Sequence, residues 1–332
     1  MASGARLAMK RREFVTLLGG AAAMWPATLR AQESAKMLRL GAVSGQQMNS
    51  PFWQPFVQRM VELGYQEGKN FLFDLIIASN IDGFEAGYRE LATRNVDIIL
   101  ASGPEIALKS ALASSSTKPI VMIAIDYDPL ARGYVTNLGR PTGNVTGVFL
   151  QQIELTEKRV QLLKSAFPDL QAATVFWDRI TTDQLEAAQR AGVNLGLRLS
   201  GVEFFDPPFD YDKALAQAPP DSRGAVIVLV SPFFFRDRAK QADFALRNRI
   251  ATMFGFREWT DAGGLMSYGV SVSSMQRLAA RYVDRVARGV KPADLPIEQP
   301  TKFELVINLK TAKALGITFP QSFLATADEV VE

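Results

Sequence analysis

The sequence predicts an α/β protein of two lobes, each built on a parallel sheet that helices cover on both faces. Apolar runs of strand length alternate with amphipathic helical runs, and several strands are apolar without interruption, which is typical of strands buried on both faces. The same order of elements occurs twice, which indicates two lobes of similar design. A chain of 332 residues with 48% hydrophobic residues is also long enough for two cores.

The first half of the chain contains the first series of these elements. Asn49-Ser50-Pro51 supplies a cap and a proline for the start of its first helix, and Gly64 ends that helix. The predicted elements are a strand over 36–43, a helix over 52–63, a strand over 70–78, a helix over 83–94, a strand over 96–101, a helix over 105–113 and a strand over 119–125. A turn-rich passage over 140–147 then marks the boundary between the lobes.

The second series begins after that boundary. Its predicted elements are a helix over 152–167, a strand over 172–177, a helix over 182–195, a strand over 200–205, a helix over 211–218, a strand over 225–230, a helix over 236–249 and a strand over 250–254. A helix over 274–288 follows, and then short elements over 292–299, 304–308 and 309–315. These last elements need a sheet edge in one lobe or the other, so we expect the chain to cross between the lobes three times.

The segment 254–269 is the stretch on which this organisation depends. It holds four aromatic residues, charged residues beside them, and glycines that allow the chain to bend. We interpret Ala262-Gly263-Gly264 as a crossing and 265–268 as a strand in the first lobe. The first lobe then comprises 36–147 with about 265–295, the second lobe comprises 148–262, and 296–332 forms a hinge crossing and the C-terminal elements.

The composition argues against several kinds of chemistry. The chain has no His and no Cys, which excludes Ser-His and Cys-His nucleophiles, imidazole or thiolate metal sites and disulfides. The net charge is only +3 and the basic residues are scattered, so we expect no nucleic-acid partner. We also find no P-loop, no G-x-S-x-G and no G-x-G-x-x-G after a strand. We therefore expect no catalytic residues, no metal and no cofactor.

The first thirty-one residues have the features of an export signal. Lys10-Arg11-Arg12 precedes an apolar run over 15–25 that is too short to span a bilayer comfortably, and the paired arginines are similar to a twin-arginine signal. Cleavage is expected before Gln32, and Met9 is an alternative start. An uncleaved membrane anchor is the alternative. We expect a soluble, periplasmic, monomeric protein.

In an open parallel sheet, ligands bind beyond the carboxyl ends of the strands, where helix amino termini present unpaired N–H groups. This rule selects the candidate ligand-binding residues, which are Ser44, Ser102, Gly103, Asp126 and Tyr127 in the first half and Asp178, Phe233, Phe234, Phe256 and Glu258 in the second half. Ser102-Gly103 precedes a predicted helix and suits a ligand carboxylate, although Ser102 can equally cap that helix.

Charged and aromatic side chains at these strand ends suggest what they bind. Asp126 and Glu258 can neutralise a ligand ammonium, although Glu258 can instead pair with an arginine, and Asp128 before a proline is a turn former. Among the consecutive residues Phe233, Phe234 and Phe235, one or two must face the cleft, because neighbours on a helix point about 100° apart. We expect Phe235 and Phe254 in the core and Phe256 in the cleft.

Several motifs then resemble a known family. They are Asp128-Pro129, the segment Arg140-Pro141-Thr142-Gly143-Asn144-Val145-Thr146-Gly147, Phe256-Arg257-Glu258 with 262–269, and the long segment 291–303. Together they are similar to ABC-transporter substrate-binding proteins of the tryptophan/tyrosine-uptake-like group. The resemblance implies a type I periplasmic-binding-protein fold, with two Rossmann-like lobes, three hinge strands and a ligand between the lobes. Related sequences often have Gly where this one has Tyr127.

The resemblance implies a role in uptake. We expect the periplasmic solute-binding component of an ABC importer, which binds a small polar ligand, amino-acid-like or an aromatic carboxylate, and delivers it to a permease and its ATPase. One alternative is a periplasmic sensor subunit. Another is a secreted enzyme that uses the carboxylates of Asp126 and Asp128.

Overall fold

The structure, a computed structural model, describes residues 37–141 and 143–332. The predicted export signal over 1–31, the alternative start at Met9 and the cleavage site before Gln32 lie outside the described residues. Residues 38–332 pack as one unit. In the described part of the chain, no helix is both long enough and apolar enough to cross a membrane.

The first lobe is built on a sheet of five parallel strands in the order β2-β1-β3-β4-β5. These strands are β1 (Leu38–Ser44), β2 (Phe71–Ile77), β3 (Ile98–Gly103), β4 (Ile120–Ala124) and β5 (Val145–Phe149), and the first four are connected by the helices α1 (Gln54–Glu62), α2 (Asp82–Ala92) and α3 (Glu105–Ser114). Along β4, Val121 and Ile123 pack in one hydrophobic core, whereas Ile120 and Met122 pack in another. This strand is uniformly apolar because both of its faces are buried.

The second lobe is built on a sheet of seven strands in the order β12-β11-β10-β9-β8-β6-β7. These strands are β6 (Ala172–Asp178), β7 (Arg198–Phe204), β8 (Ala225–Val228), β9 (Ala251–Phe254), β10 (Met266–Val270), β11 (Phe303–Asn308) and β12 (Glu329–Val331). Neighbouring strands are parallel except for the antiparallel pair β10 and β11.

The helices that follow β5 complete the two lobes. They are α4 (Gln152–Ala166), α5 (Thr182–Asn194), α6 (Tyr211–Gln217), α7 (Pro232–Arg236), α8 (Arg238–Arg247), α9 (Arg257–Asp261), α10 (Val272–Ala287), α11 (Leu309–Leu315) and α12 (Gln321–Leu324). Of these, α10 packs against α1 and β5 of the first lobe. An ion pair of 2.7 Å between Arg277 on α10 and Glu62 at the end of α1 accompanies this packing.

Within the described residues, the chain crosses between the lobes three times, which confirms the expected hinge. The first crossing follows β5 at 150–151, and the second lies at Ser271 between β10 and α10. Before the third crossing, Glu298 runs beside β5 and its N–H donates to the carbonyl of Gly147 at 3.0 Å. Residues 299–302 then lead into β11 in the second lobe.

The assignment of 265–268 to a strand of the first lobe is wrong. These residues enter β10, which pairs with β9 and β11 in the second sheet. Ala262-Gly263-Gly264 is accordingly a turn within the second lobe, in which the N–H of Gly264 donates to the carbonyl of Trp259 at 2.9 Å. The local pattern of apolar and polar residues predicts that a strand forms, but it does not specify which sheet the strand joins. The predicted boundary between 147 and 148 is also wrong, because it falls inside β5, which continues to Phe149 in the first sheet. The remaining limits of the lobes stay a prediction.

Candidate ligand-binding site

A cavity lies between the two lobes. Its first-lobe walls include the segments that follow β1, β3 and β4, and its second-lobe walls include the segments that follow β6, β8 and β9. Strand carboxyl ends of both sheets therefore meet at one place, as an open parallel sheet requires of a ligand site. The cavity brings together five of the candidate residues, which are Ser44, Ser102, Gly103, Asp126 and Phe256.

Ser102 presents an unpartnered hydroxyl to this cavity. The side chain is 3% exposed, and its Oγ makes no hydrogen bond within the described protein. It does not cap α3, because Pro104 occupies the cap position and the N–H of Glu105 at the start of the helix donates to Asp126 Oδ1 at 3.1 Å. A buried hydroxyl without a partner is costly, so a polar ligand atom beside Ser102 would be stabilised there.

Asp126 is the single charged side chain in the wall of the cavity among the described residues. It is 6% exposed, and burial raises the pKa of its carboxyl well above the ordinary value, with further repulsion from Asp178 and Glu105. A ligand ammonium beside it would restore the ionised form. Asp128 has a different role, since its Oδ1 accepts the N–H of Leu130 at 2.7 Å and thereby forms the expected turn.

Ser44 and Gln46 follow β1 and form one wall. The Oγ of Ser44 accepts hydrogen bonds from the N–H of Gln46 at 3.0 Å and from Nε1 of Trp53 at 3.2 Å. The side-chain amide of Gln46 donates to the carbonyl of Pro232 in the second lobe. Ser44 thus fixes the loop, and Gln46 connects the two lobes at the cavity.

Aromatic rings from both lobes form the apolar walls. Phe256 and Phe235 of the second lobe line the cavity together with Phe52 of the first lobe. The ring of Phe235 lies 5.8 Å from that of Phe52 and 6.2 Å from that of Phe256, both edge to face. Phe235, which we expected in the core only, is therefore also a wall of the cavity.

The other two phenylalanines of α7 do not line the cavity. Phe234 packs inside the second lobe, 5.2 Å from the ring of Phe204. Phe233 faces the first lobe, where its ring lies 6.5 Å from that of Phe84, and Arg236 stacks over it at 5.6 Å. The structure therefore divides the three rings of α7 among cavity, core and lobe interface.

Asp178 lies behind the cavity wall and acts on it through Ser231. Its carboxylate accepts hydrogen bonds from the Ser231 hydroxyl and from the N–H of Ile180, and Ser231 and Ile180 both line the cavity. Burial raises the pKa of Asp178 to about 6. We infer that Asp178 holds the Ser231 side chain in place in the cavity wall without lining the cavity itself.

Tyr127 and Glu258 are also outside the cavity wall. The ring of Tyr127 is buried in the first lobe, 5.9 Å from that of Tyr134. Glu258 is the second residue of α9, and its Oε2 is buried with no hydrogen bond from the residues that the structure describes. Burial raises the pKa of Glu258 to about 7. Ligand contact by either residue stays a prediction for which this geometry gives no support.

Eleven of the sixteen cavity residues are absent from our candidate set, among them Gln46, Ser231 and Phe235. Gln46 lies just beyond β1 and Ser231 just beyond β8. The strand-end rule selects the segment 231–235, from which our candidate set kept only Phe233 and Phe234, and it could have been extended to Gln46. The side of α7 on which Phe235 lies depends on where the helix begins. Ser231 caps it by accepting the N–H of Phe233 at 3.2 Å, and the sequence alone does not fix that register.

A buried arginine supports the wall from the hinge side. Arg159 is 0% exposed, and its Nε donates to the carbonyl of Tyr268 at 2.8 Å, while Nη2 donates to Oε1 of Gln152 at 2.8 Å. Nη2 also lies 3.4 Å from the carbonyl of Gly255, next to Phe256. Within the described residues no carboxylate pairs with Arg159, and burial lowers its pKa. This guanidinium holds the ends of β9 and β10 together beside the cavity.

The site as a whole suits binding. Its walls are mostly apolar, and its polar side chains are one carboxylate, three hydroxyls and the amide of Gln46. The described residues contain no cluster of acidic residues that would hold a metal ion. Small-molecule sites typically combine such walls with a few polar groups that orient the ligand.

Comparison with known proteins agrees with this architecture. A Tyrosine-binding protein from Clostridioides difficile (strain R20291) is 22% identical over 266 residues, which are 79% of this chain and 75% of that protein. Two solved structures share the fold. A conserved domain protein from Vibrio cholerae has a TM-score of 0.77 and 22% identity, and covers 89% of this chain and 99% of its own. The ABC domain in complex with L-Trp from Streptococcus pneumonia has a TM-score of 0.73 and 19% identity, with 89% and 100% covered.

The fold is therefore the type I periplasmic-binding-protein fold that the sequence motifs imply, with two parallel-sheet lobes and a cavity between them. The model of one family, described as ABC transporter substrate binding protein, matches residues 52–331. This match spans both lobes and most of the chain. The protein belongs to the family of ABC transporter substrate-binding proteins.

Proposed function

We propose that this protein is the periplasmic solute-binding component of an ABC importer, and that it holds a small amino-acid-like or aromatic carboxylate ligand between two closing lobes. The cavity between the lobes carries this proposal, because strand ends of both sheets supply its walls. A ligand in this position contacts both lobes at once. Its binding energy therefore favours the closed arrangement.

The chemistry of the walls supports the proposed ligand class. The rings of Phe52, Phe235 and Phe256 suit an aromatic or other apolar body, and Asp126 suits an ammonium group. The hydroxyl of Ser102 is available to a ligand oxygen. The names of two similar proteins, one called tyrosine-binding and one solved with L-Trp, also favour an aromatic amino acid.

Contacts between the lobes supply a means of closure. Besides the hydrogen bond from Gln46 to Pro232, Arg132 of the first lobe forms ion pairs with Asp183 on α5 of the second lobe and, at 3.6 Å, with Glu105 on α3 of its own lobe. These contacts involve loops and side chains and no strand pairing, so they can open while both sheets stay intact. We propose that the lobes part in this way to exchange ligand and that the closed pair of lobes is what the permease recognises.

Isothermal titration of the mature protein tests this function. The panel contains the amino acids and a set of aromatic acids, and we expect at least one compound to bind with a dissociation constant near micromolar, about −8 kcal/mol. If no compound of the panel binds, the proposed ligand class is contradicted. The remaining proposals, export to the periplasm, a monomeric state, and a permease and ATPase as partners, are tested by cell fractionation, by light scattering and by uptake assays.

A further inference from the structure

A second space adjoins the cavity between the lobes. It shares Pro104, Asp126 and Ile180 with the cavity wall. The first lobe contributes Glu105 and Lys109 from α3, and the second lobe contributes Arg179, which follows β6. We call this space the vestibule. Since Asp126 lines both spaces, a ligand that touches this carboxylate can extend from the cavity into the vestibule.

The carboxylates of the vestibule have partners among the described residues, whereas its cations do not. Of its two carboxylates, Glu105 accepts the hydroxyl of Tyr134 at 2.7 Å and also pairs with Arg132, and Asp126 accepts the N–H of Glu105. Its two cations, Lys109 and Arg179, are exposed and have no ion pair or side-chain hydrogen bond within residues 37–141 and 143–332. The vestibule therefore offers two unpaired cations, one from each lobe.

The cavity differs from the vestibule in its charged side chains. No lysine or arginine of the described chain lines the cavity, where the one charge is that of Asp126. An anionic group buried there would have hydroxyl and N–H donors but no cation, and it would lie near a carboxylate. Between Lys109 and Arg179, the same group would meet two positive charges and would remain partly hydrated.

We propose that the ligand carries an anionic group which leaves the cavity and binds in the vestibule between Lys109 and Arg179, while its apolar body stays in the cavity and its ammonium faces Asp126. This inference rests on the proposed function and specifies its ligand as an apolar body with a carboxylate at one end. An α-amino acid with a large side chain has this arrangement of groups. Each lobe then contributes one cation to the ligand, so the carboxylate itself favours closure.

The test compares ligands with and without the carboxylate. Wild-type protein is titrated with L-tyrosine and L-tryptophan and with tyramine and tryptamine, which keep the ring and the ammonium but lack the carboxylate. The variants are Lys109→Gln and Arg179→Gln, and the control is Lys213→Gln, which removes an exposed charge from α6 outside both spaces. Thermal melts verify that all three variants fold.

We expect each vestibule variant to weaken binding of the amino acid by about three- to tenfold, because exposed cations are screened by water. Binding of the corresponding amine should stay within twofold, and Lys213→Gln should change neither. The loss should also shrink as salt is added. If the wild type binds the amino acid but both vestibule variants bind it equally well, this inference is overturned and the proposed function stands. If the wild type binds none of the four compounds, the aromatic amino-acid version of the function is overturned together with the inference.

Discussion

The side-chain amide of Gln46 in the first lobe donates a hydrogen bond to the carbonyl of Pro232 in the second lobe. Both residues also line the cavity. The contact that connects the lobes is therefore part of the surface that a ligand would touch, so closure and ligand binding are expected to reinforce each other.

Replacing Gln46 by Ala removes this connection without disturbing either sheet. We expect ligand affinity to fall by about five- to tenfold, because one partly buried hydrogen bond between the lobes, about 1 kcal/mol, is lost together with packing. Titration of the variant measures the affinity, and small-angle scattering measures the separation of the lobes. Gln189→Ala on the exposed surface of α5 is the control. Equal affinities for wild type and Gln46→Ala would show that this contact has no part in closure.

Asp126→Asn tests the carboxylate in the cavity wall. For a ligand with an ammonium group we expect a loss of tenfold or more, since a buried charged hydrogen bond contributes about 1.5–3 kcal/mol. Because burial raises the pKa of Asp126, wild-type affinity should increase with pH until this carboxyl is ionised in the free protein. The Asn variant should lack that dependence. Asp128→Asn in the adjacent turn is the matched control, and a similar loss in both variants would count against a direct role for Asp126.

Glu258→Gln tests whether Glu258 contacts the ligand or instead lowers the stability of the folded protein. The pKa of Glu258 is raised from 4.5 to about 7, so the folded protein holds this proton more tightly than the unfolded chain. Wild-type stability therefore falls as pH rises from about 4.5 to 7 on account of this group, and the Gln variant avoids that loss. We expect the variant to be more stable at pH 8 by on the order of 1–3 kcal/mol and equally stable at pH 4.

The same variant should bind ligand as well as wild type, because Glu258 does not line the cavity. Urea unfolding at pH 4 and pH 8 measures the stability, and titration with ligand at pH 8 measures the affinity. Glu154→Gln, an exposed position on α4, is the control for the loss of one negative charge. A tenfold loss of affinity in Glu258→Gln would instead restore the ligand contact that the sequence suggests.

Arg159→Lys tests the support behind the cavity. The guanidinium donates to the carbonyl of Tyr268 and to the side chain of Gln152 from two different nitrogens. A lysine has a single nitrogen and cannot reproduce this geometry, so at least one buried acceptor loses its donor. We expect a loss of about 2–4 kcal/mol in the free energy of unfolding, measured in urea. The control is Arg198→Lys, whose side chain is 61% exposed in a surface ion pair that should contribute little. A loss no larger than that of the control would mean that Arg159 is not needed to hold the strand ends.

The alternation of strands and helices could be predicted because it is local. The period of the apolar residues defined β1 to β4 and β6 to β9 and the helices between them, and the strand-end rule selected Ser44, Ser102 and Asp126 at the cavity. Partners across a sheet are not local information. The segment 265–268 reads as a strand, but only the packing of β10 beside β9 decides which lobe it joins.

Side-chain direction was the other feature that the sequence left open. Phe233, Phe234 and Phe235 have the same chemistry, and their different environments follow from the start of a five-residue helix at Pro232. Glu258 and Phe256 follow the same strand, yet Phe256 is in the cavity wall and Glu258 is on α9 beyond it. A shift of one residue in the start of a helix turns each side chain by about 100°, which composition and spacing do not resolve.

A crystal structure of the protein with a compound that binds in titration tests the central claim most directly. We predict electron density for that compound between the lobes, with its ring beside Phe235 and Phe256 and a polar atom within 3.2 Å of the Ser102 hydroxyl or the Asp126 carboxylate. Density for the compound elsewhere on the protein, with only water in the cavity, would contradict the account.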